Sequence, residues 1–269
     1  MDSRLLNPDP ENKLDSSLSL STPLQQASQM WPFTPMYLTR GQFKEQLIAQ
    51  LPTWERANSL CEAWLENLSW FHRPVKRSQI FEDLLPAAYR RTKSGTVSIT
   101  VEEEIDVHDL ALLFSVFACG ATADLTLPVW NSEAETFQQL ARAALGLRSV
   151  FDASSITAAQ AICMLGSFDI ISGRKNSLES AWKTTSFSFM LALSVRSPFI
   201  TSPPRVLTVR LRRWDFVSTF NGFLFCVFIG SLLSDRDPAR WGLDSKEVQL
   251  RRSVFWEMNL LDNWKVREN

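Results

Sequence analysis

Histidine is nearly missing from this chain, with only His72 and His108 in 269 residues. Imidazole is the usual proton carrier near neutral pH and a common metal ligand, so a centre built on several histidines is excluded. Glycine is scarce as well, nine in all. No Gly-rich phosphate loop, nucleophile elbow or His/Glu metal spacing occurs, and so few glycines argue against loops that wrap a phosphate in backbone amides. The four cysteines, Cys61, Cys119, Cys163 and Cys226, lie far apart and never form a Cys-x2-Cys pair. They have neither zinc-ligand spacing nor the pattern of a disulfide framework, and are expected to be reduced, buried thiols. An excess of one charge is also lacking: 28 basic and 29 acidic residues leave a net −1 and a pI near 6.2. A domain that grips DNA by itself normally carries a basic excess or stripe. The start, Met1-Asp-Ser-Arg-Leu-Leu-Asn, has no apolar run of the secretory kind, which gives the expectation of an intracellular protein.

What the chain does have is apolar bulk. Hydrophobic residues make up 45 %, with 18 Phe and 10 Trp, enough for one sizeable core or two small ones. Residues 1–30 are rich in Ser, Asp, Asn, Gln and Pro and read as a disordered leader. Beyond them, helical spacing recurs. A short amphipathic helix over 41–51 stops at Pro52, and Thr53 can cap a second, with Ala57, Leu60, Cys61, Trp64 and Leu68 on one face. A third, over 77–89, points Phe81, Leu84 and Leu85 inward and should bend or break at Pro86. After a Ser/Thr-rich loop, 108–123 is apolar at nearly every position, as in a helix buried on several sides. Asn131 or Ser132 caps the next helix, Ser154 or Ser155 another ending at Ser172-Gly173, and 178–195 gives one more. No alternating strand pattern appears, so the fold class is all-α, a bundle of roughly eight helices.

The last long stretch organises the rest. Asp244 with Glu247 three residues on is a capping-box-like start, and neither Pro nor Gly interrupts the chain from Ser245 to Trp264. Leu250, Val254, Met258 and Leu261 fall at helical spacing, with Val248 and Phe255, and Trp256, Leu260 and Trp264, as rows beside them, a surface wide enough to lie inside a bundle. Asp237-Pro-Ala-Arg240-Trp241, the acidic cap, Gln249-Leu-Arg251-Arg252-Ser-Val-Phe255-Trp256-Glu257 and Asp262 closely resemble the fungal-specific transcription factor domain, the regulatory middle region of two-zinc, six-cysteine cluster regulators. Earlier blocks resemble the same family in the same order: Leu68-Ser-Trp70-Phe71 with Pro74-Val-Lys-Arg77, His108-Asp109-Leu-Ala-Leu-Leu-Phe, Glu133-Ala-Glu135 with Leu140-Ala-Arg142-Ala-Ala, Gln160-Ala-Ile-Cys-Met-Leu, and Ala181-Trp182. The resemblance covers nearly everything from Leu51 to Trp264.

This resemblance implies a non-catalytic regulatory region, working in the nucleus on transcription-machinery partners or a small-molecule effector. It implies that zinc and DNA are bound only by a zinc-cluster domain that this sequence lacks, so no cofactor is expected here. The family pattern assigns 31–195 and 230–265 to the domain and leaves 196–229 as an atypical insertion and 266–269 as an atypical tail. Both breaks begin with Val-Arg (Val195-Arg196 and Val266-Arg267), and codons such as GTA-CGT would spell an intron donor site. The aromatic run at 223–228 is what a pyrimidine-rich tract ahead of an acceptor would encode. Translated intron in a truncated gene product is the favoured reading, with a genuine loop in a short stand-alone interaction protein beside it. A membrane anchor over 216–233, behind Arg210, Arg212 and Arg213, is the third, weakened by Ser218, Thr219, Asn221 and Gly222.

No catalytic constellation emerges, and the chain reads as no enzyme. His72 at a helix end and His108 beside Asp109 are expected to be capping or hydrogen-bonded histidines. Arg251 and Arg252, near Glu247 and Glu257, read as a paired helix face rather than a nucleic-acid contact. The pairs Trp70-Phe71 and Phe255-Trp256 read as core packing, with the lining of a small-molecule pocket as the alternative.

Overall fold

The computed structural model describes residues 20–35, 40–93, 105–128, 131–150, 155–172 and 244–267. These residues form α-helices and one π-helical turn, with no strand among them, so the all-α expectation is met. The elements in order are α1 (Thr22–Met30), α2 (Arg40–Ile48), α3 (Trp54–Asn67), the π turn (Gln79–Leu84) running into α4 (Leu85–Lys93), α5 (Val107–Ala123), α6 (Ser132–Leu147), α7 (Ile156–Ser172) and α8 (Ser245–Arg267).

Helix α5 is the axis. The Asp106 side chain accepts from the His108 N–H at 2.8 Å to start it, and every residue from Leu110 to Ala121 is buried. A helix that is apolar on all sides needs neighbours on all sides. Here α3, α6 and α7 pack around it, while α1 and α2 lie against α6 and α8 against α7. Phe114, Phe117 and Phe137 meet between α5 and α6 with ring centroids 5.4–6.3 Å apart, within the range of attractive aromatic contacts. The polar joints supply the caps. Thr53 Oγ1 accepts from the Arg56 N–H, Asn131 Oδ1 from Ala134 N–H, Ser155 Oγ from Ala158 N–H and Asp244 Oδ1 from Glu247 N–H, each satisfying one of the orphan amides of a first turn.

Two expectations need correction. The leader does not extend to residue 30: Thr22–Met30 is helical and buries Leu24 and Ala27 against α6. Leu24 and Ala27, three residues apart on one face, supply the apolar surface that packs there. Pro86 neither bends nor breaks its helix in the expected way. A proline ring collides with the carbonyl four residues back and offers no N–H. The chain widens ahead of it, Leu85 N–H bonding to the Ile80 carbonyl five residues back, and Pro86 then sits in the first turn of α4, where an N–H is not needed.

Helix α8 runs on to Arg267, past the expected stop at Trp264. The expected 178–195 helix, the 196–229 insertion, the 216–233 stretch and residues 268–269 lie outside the described residues. Among those described, no helix is long and apolar enough to cross a membrane.

Candidate functional site

The connector from Leu68 to Ser78, between α3 and the π turn, is where distant parts of the sequence meet. His72, 3 % exposed, points into the bundle. Its Nδ1 lies 2.8 Å from Ser167 Oγ and its Nε2 3.5 Å from Cys163 Sγ, both on α7. Ser167 Oγ also donates to the Cys163 carbonyl at 3.2 Å. One assignment gives every atom a partner: Nδ1–H donates to Ser167, and Nε2 accepts the Cys163 S–H. Burial pulls the imidazole pKa down to about 3, against the influence of Glu257, so the ring is neutral at physiological pH.

Two further contacts close this junction. The Glu257 carboxylate of α8 accepts the Arg73 backbone N–H at 2.9 Å and stands 4.0 Å from His72 Nε2. Gln160, fully buried on α7, donates to the Pro74 carbonyl at 2.7 Å and pairs with the Gln79 side chain at 2.9 Å. The sequence blocks around Pro74, Gln160 and Glu257 thus touch one another. Chemically, the junction offers a neutral imidazole, a thiol and a hydroxyl with their polar atoms in partnership and no exposed face, which is the chemistry of a structural polar joint.

His108 forms a second joint of the same kind. Its Nε2–H donates to the Arg148 carbonyl at 3.3 Å, leaving Nδ1 to accept from Ser155 Oγ at 2.7 Å. One ring therefore ties the start of α5 to the end of α6 and the start of α7, as expected of a hydrogen-bonded histidine. Burial lowers its pKa. Asp109 beside it is raised to about 6, first by burial and then by the negative charge of Asp106, while the Thr157 hydroxyl opposes the shift. Arg148 pairs with Asp106 at 2.8 Å.

The remaining expected residues are scattered. Trp70 is 78 % exposed, its Nε1–H donating to the Asn67 carbonyl and its ring meeting Phe71 edge-on. Trp256 is 68 % exposed. Core packing is therefore corrected for both: Trp70 sits in the turn that leaves α3, and Trp256 falls on the side of α8 away from the buried Val248 and Val254. Arg77 grips Glu62 through both terminal nitrogens and lies over the Phe81 ring, 4.8 Å from its centroid, on the surface. Arg142 approaches Asp169 at 3.8 Å, where Gln138 also donates at 3.0 Å. Arg251 pairs with Glu247 one turn away, at 2.7 Å, as the reading of a paired face supposed, and Arg252 is half-buried. Trp182, Arg240 and Trp241, and the side chains of Phe255 and Asp262, lie outside the described residues.

Sequence reasoning missed Arg56. Its guanidinium holds Glu133 at 2.6 and 3.1 Å and Asp124 at 3.0 Å, joining α3 to the end of α5 and the start of α6. No local signal betrays a pair 77 positions apart. A cleft of about 290 Å³ lies nearby, lined by Thr122, Asp124, Leu125, Asn131, Phe168 and Ile171 among others. Its polar groups are already engaged, Asp124 by Arg56 and Thr126, and Asn131 by the Ala121 carbonyl and the Ala134 amide. Among the described residues no group of three or more His, Cys, Asp or Glu is placed to hold a metal ion. Comparison of the chain with protein-family models, with characterised proteins and with solved structures finds no match.

Proposed function

We propose that this chain is a non-catalytic regulatory region of the fungal transcription factor type, acting in the nucleus on DNA-templated transcription. In this reading DNA and zinc are bound by a zinc-cluster domain on another part of the regulator, and this region receives a signal from a protein partner of the transcription machinery or a small-molecule effector. What supports it is the resemblance of ordered sequence blocks, together with one observation: the blocks around Pro74, Gln160 and Glu257 converge at the His72 junction. Residues that must keep one fold in register are the ones a family pattern would retain. The buried histidines, engaged on both ring nitrogens, suit a scaffold better than a reaction centre.

The test is a fusion of the full chain to a heterologous zinc-cluster DNA-binding domain in a fungal reporter strain. The chain is expected to change reporter output at least severalfold relative to the DNA-binding domain alone. Equal output from the two, with the fusion present at equal level, rejects the reading.

A further inference from the structure

We draw no further inference here: the strongest candidate, the cleft between the ends of α5 and α7 and the start of α6, has Asp124 and Asn131 already engaged within the fold, and nothing in the structure shows what covers it.

Discussion

Gly120 of α5 faces the backbone carbonyl of Leu60 on α3 so closely that a Cβ on the glycine would stand 2.1 Å from the oxygen. Backbone on both sides of that contact leaves no flexible side chain to give way. Gly120→Ala should therefore push α3 and α5 apart and destabilise the protein by about 3 kcal/mol or more, at the upper end of what overpacking costs. Gly146 in α6 provides the contrast, since a Cβ there meets its nearest atom, the Ala27 carbonyl oxygen, at 3.7 Å, an ordinary contact. Gly146→Ala should stabilise the protein by about 0.5–1 kcal/mol through helix propensity alone. Urea unfolding of both variants checks the pair, and a Gly120→Ala protein as stable as wild type would show that the two helices do not cross this tightly.

The buried imidazole of His72 gives stability a pH dependence of known sign. Its pKa is about 3 in the fold and 6.5 in the unfolded chain. As pH falls below 6.5 the unfolded chain takes up a proton that the native state refuses, so stability is lost progressively from pH 6.5 down toward 3. One such site accounts for about 2 kcal/mol between pH 7.5 and pH 5. In unfolding curves at the two pH values the wild type should lose about 2 kcal/mol more than His72→Gln, because the contributions of His108 and Asp109 are common to both proteins. Equal losses in both would place the acid sensitivity elsewhere.

Asp109 works in the opposite direction. Its pKa is raised from 3.8 to about 6, so the native state resists ionisation and stability is lost as pH rises from 3.8 through 6. At pH 7.5 the carboxylate is charged at a cost, and Asp109→Asn should stabilise the protein by about 1 kcal/mol or more. Below pH 4 the same substitution should have little effect. A variant less stable than wild type at pH 7.5 would mean that the ionised form makes stronger hydrogen bonds than the Thr157 hydroxyl alone accounts for.

Arg56 fastens three helices with one planar group. Arg56→Ala leaves the Glu133 and Asp124 carboxylates without the guanidinium that both accept from, and should cost about 2 kcal/mol. Arg56→Lys should recover only part of it, because an ammonium cannot match the two-pronged contact with Glu133. A double-mutant cycle with Glu133→Ala should return a coupling of about 1 kcal/mol, and a coupling near zero would reduce the contact to a screened surface pair.

The parts of this fold that were legible in the sequence are those fixed locally. Thr53, Asn131, Ser155 and Asp244 are caps because a short polar side chain ahead of an apolar run has one good partner, the amide two or three residues on. The burial of α5 was readable from its unbroken apolar composition. The π turn at Gln79–Leu84 was not, because a proline says only that regular α geometry fails nearby, and widening and breaking both relieve it. The His72 junction was half legible: a histidine at a helix end was visible, but Ser167 and Cys163 lie more than 90 positions away. Long-range pairs such as these are set by how helices pack, for which one sequence carries no periodic signal.

Trp256 shows the same limit from the other side, and it supplies a sharp test. Its spacing with Leu260 and Trp264 matched an apolar row, yet the ring is 68 % exposed, while Trp64, at 2 %, fills the core between α3 and its neighbours. Periodicity identifies faces of a helix but not which of two apolar faces is turned inward, and in α8 the buried apolar side chains among those described are Val248 and Val254. Trp256→Ala should therefore change stability by no more than about 0.5–1 kcal/mol. Trp64→Ala, which empties a buried site, should cost about 3–5 kcal/mol. Thermal unfolding of the two variants side by side decides it: comparable losses would mean that the outer face of α8 is also covered in solution, and that Trp256 is an anchor rather than a surface residue.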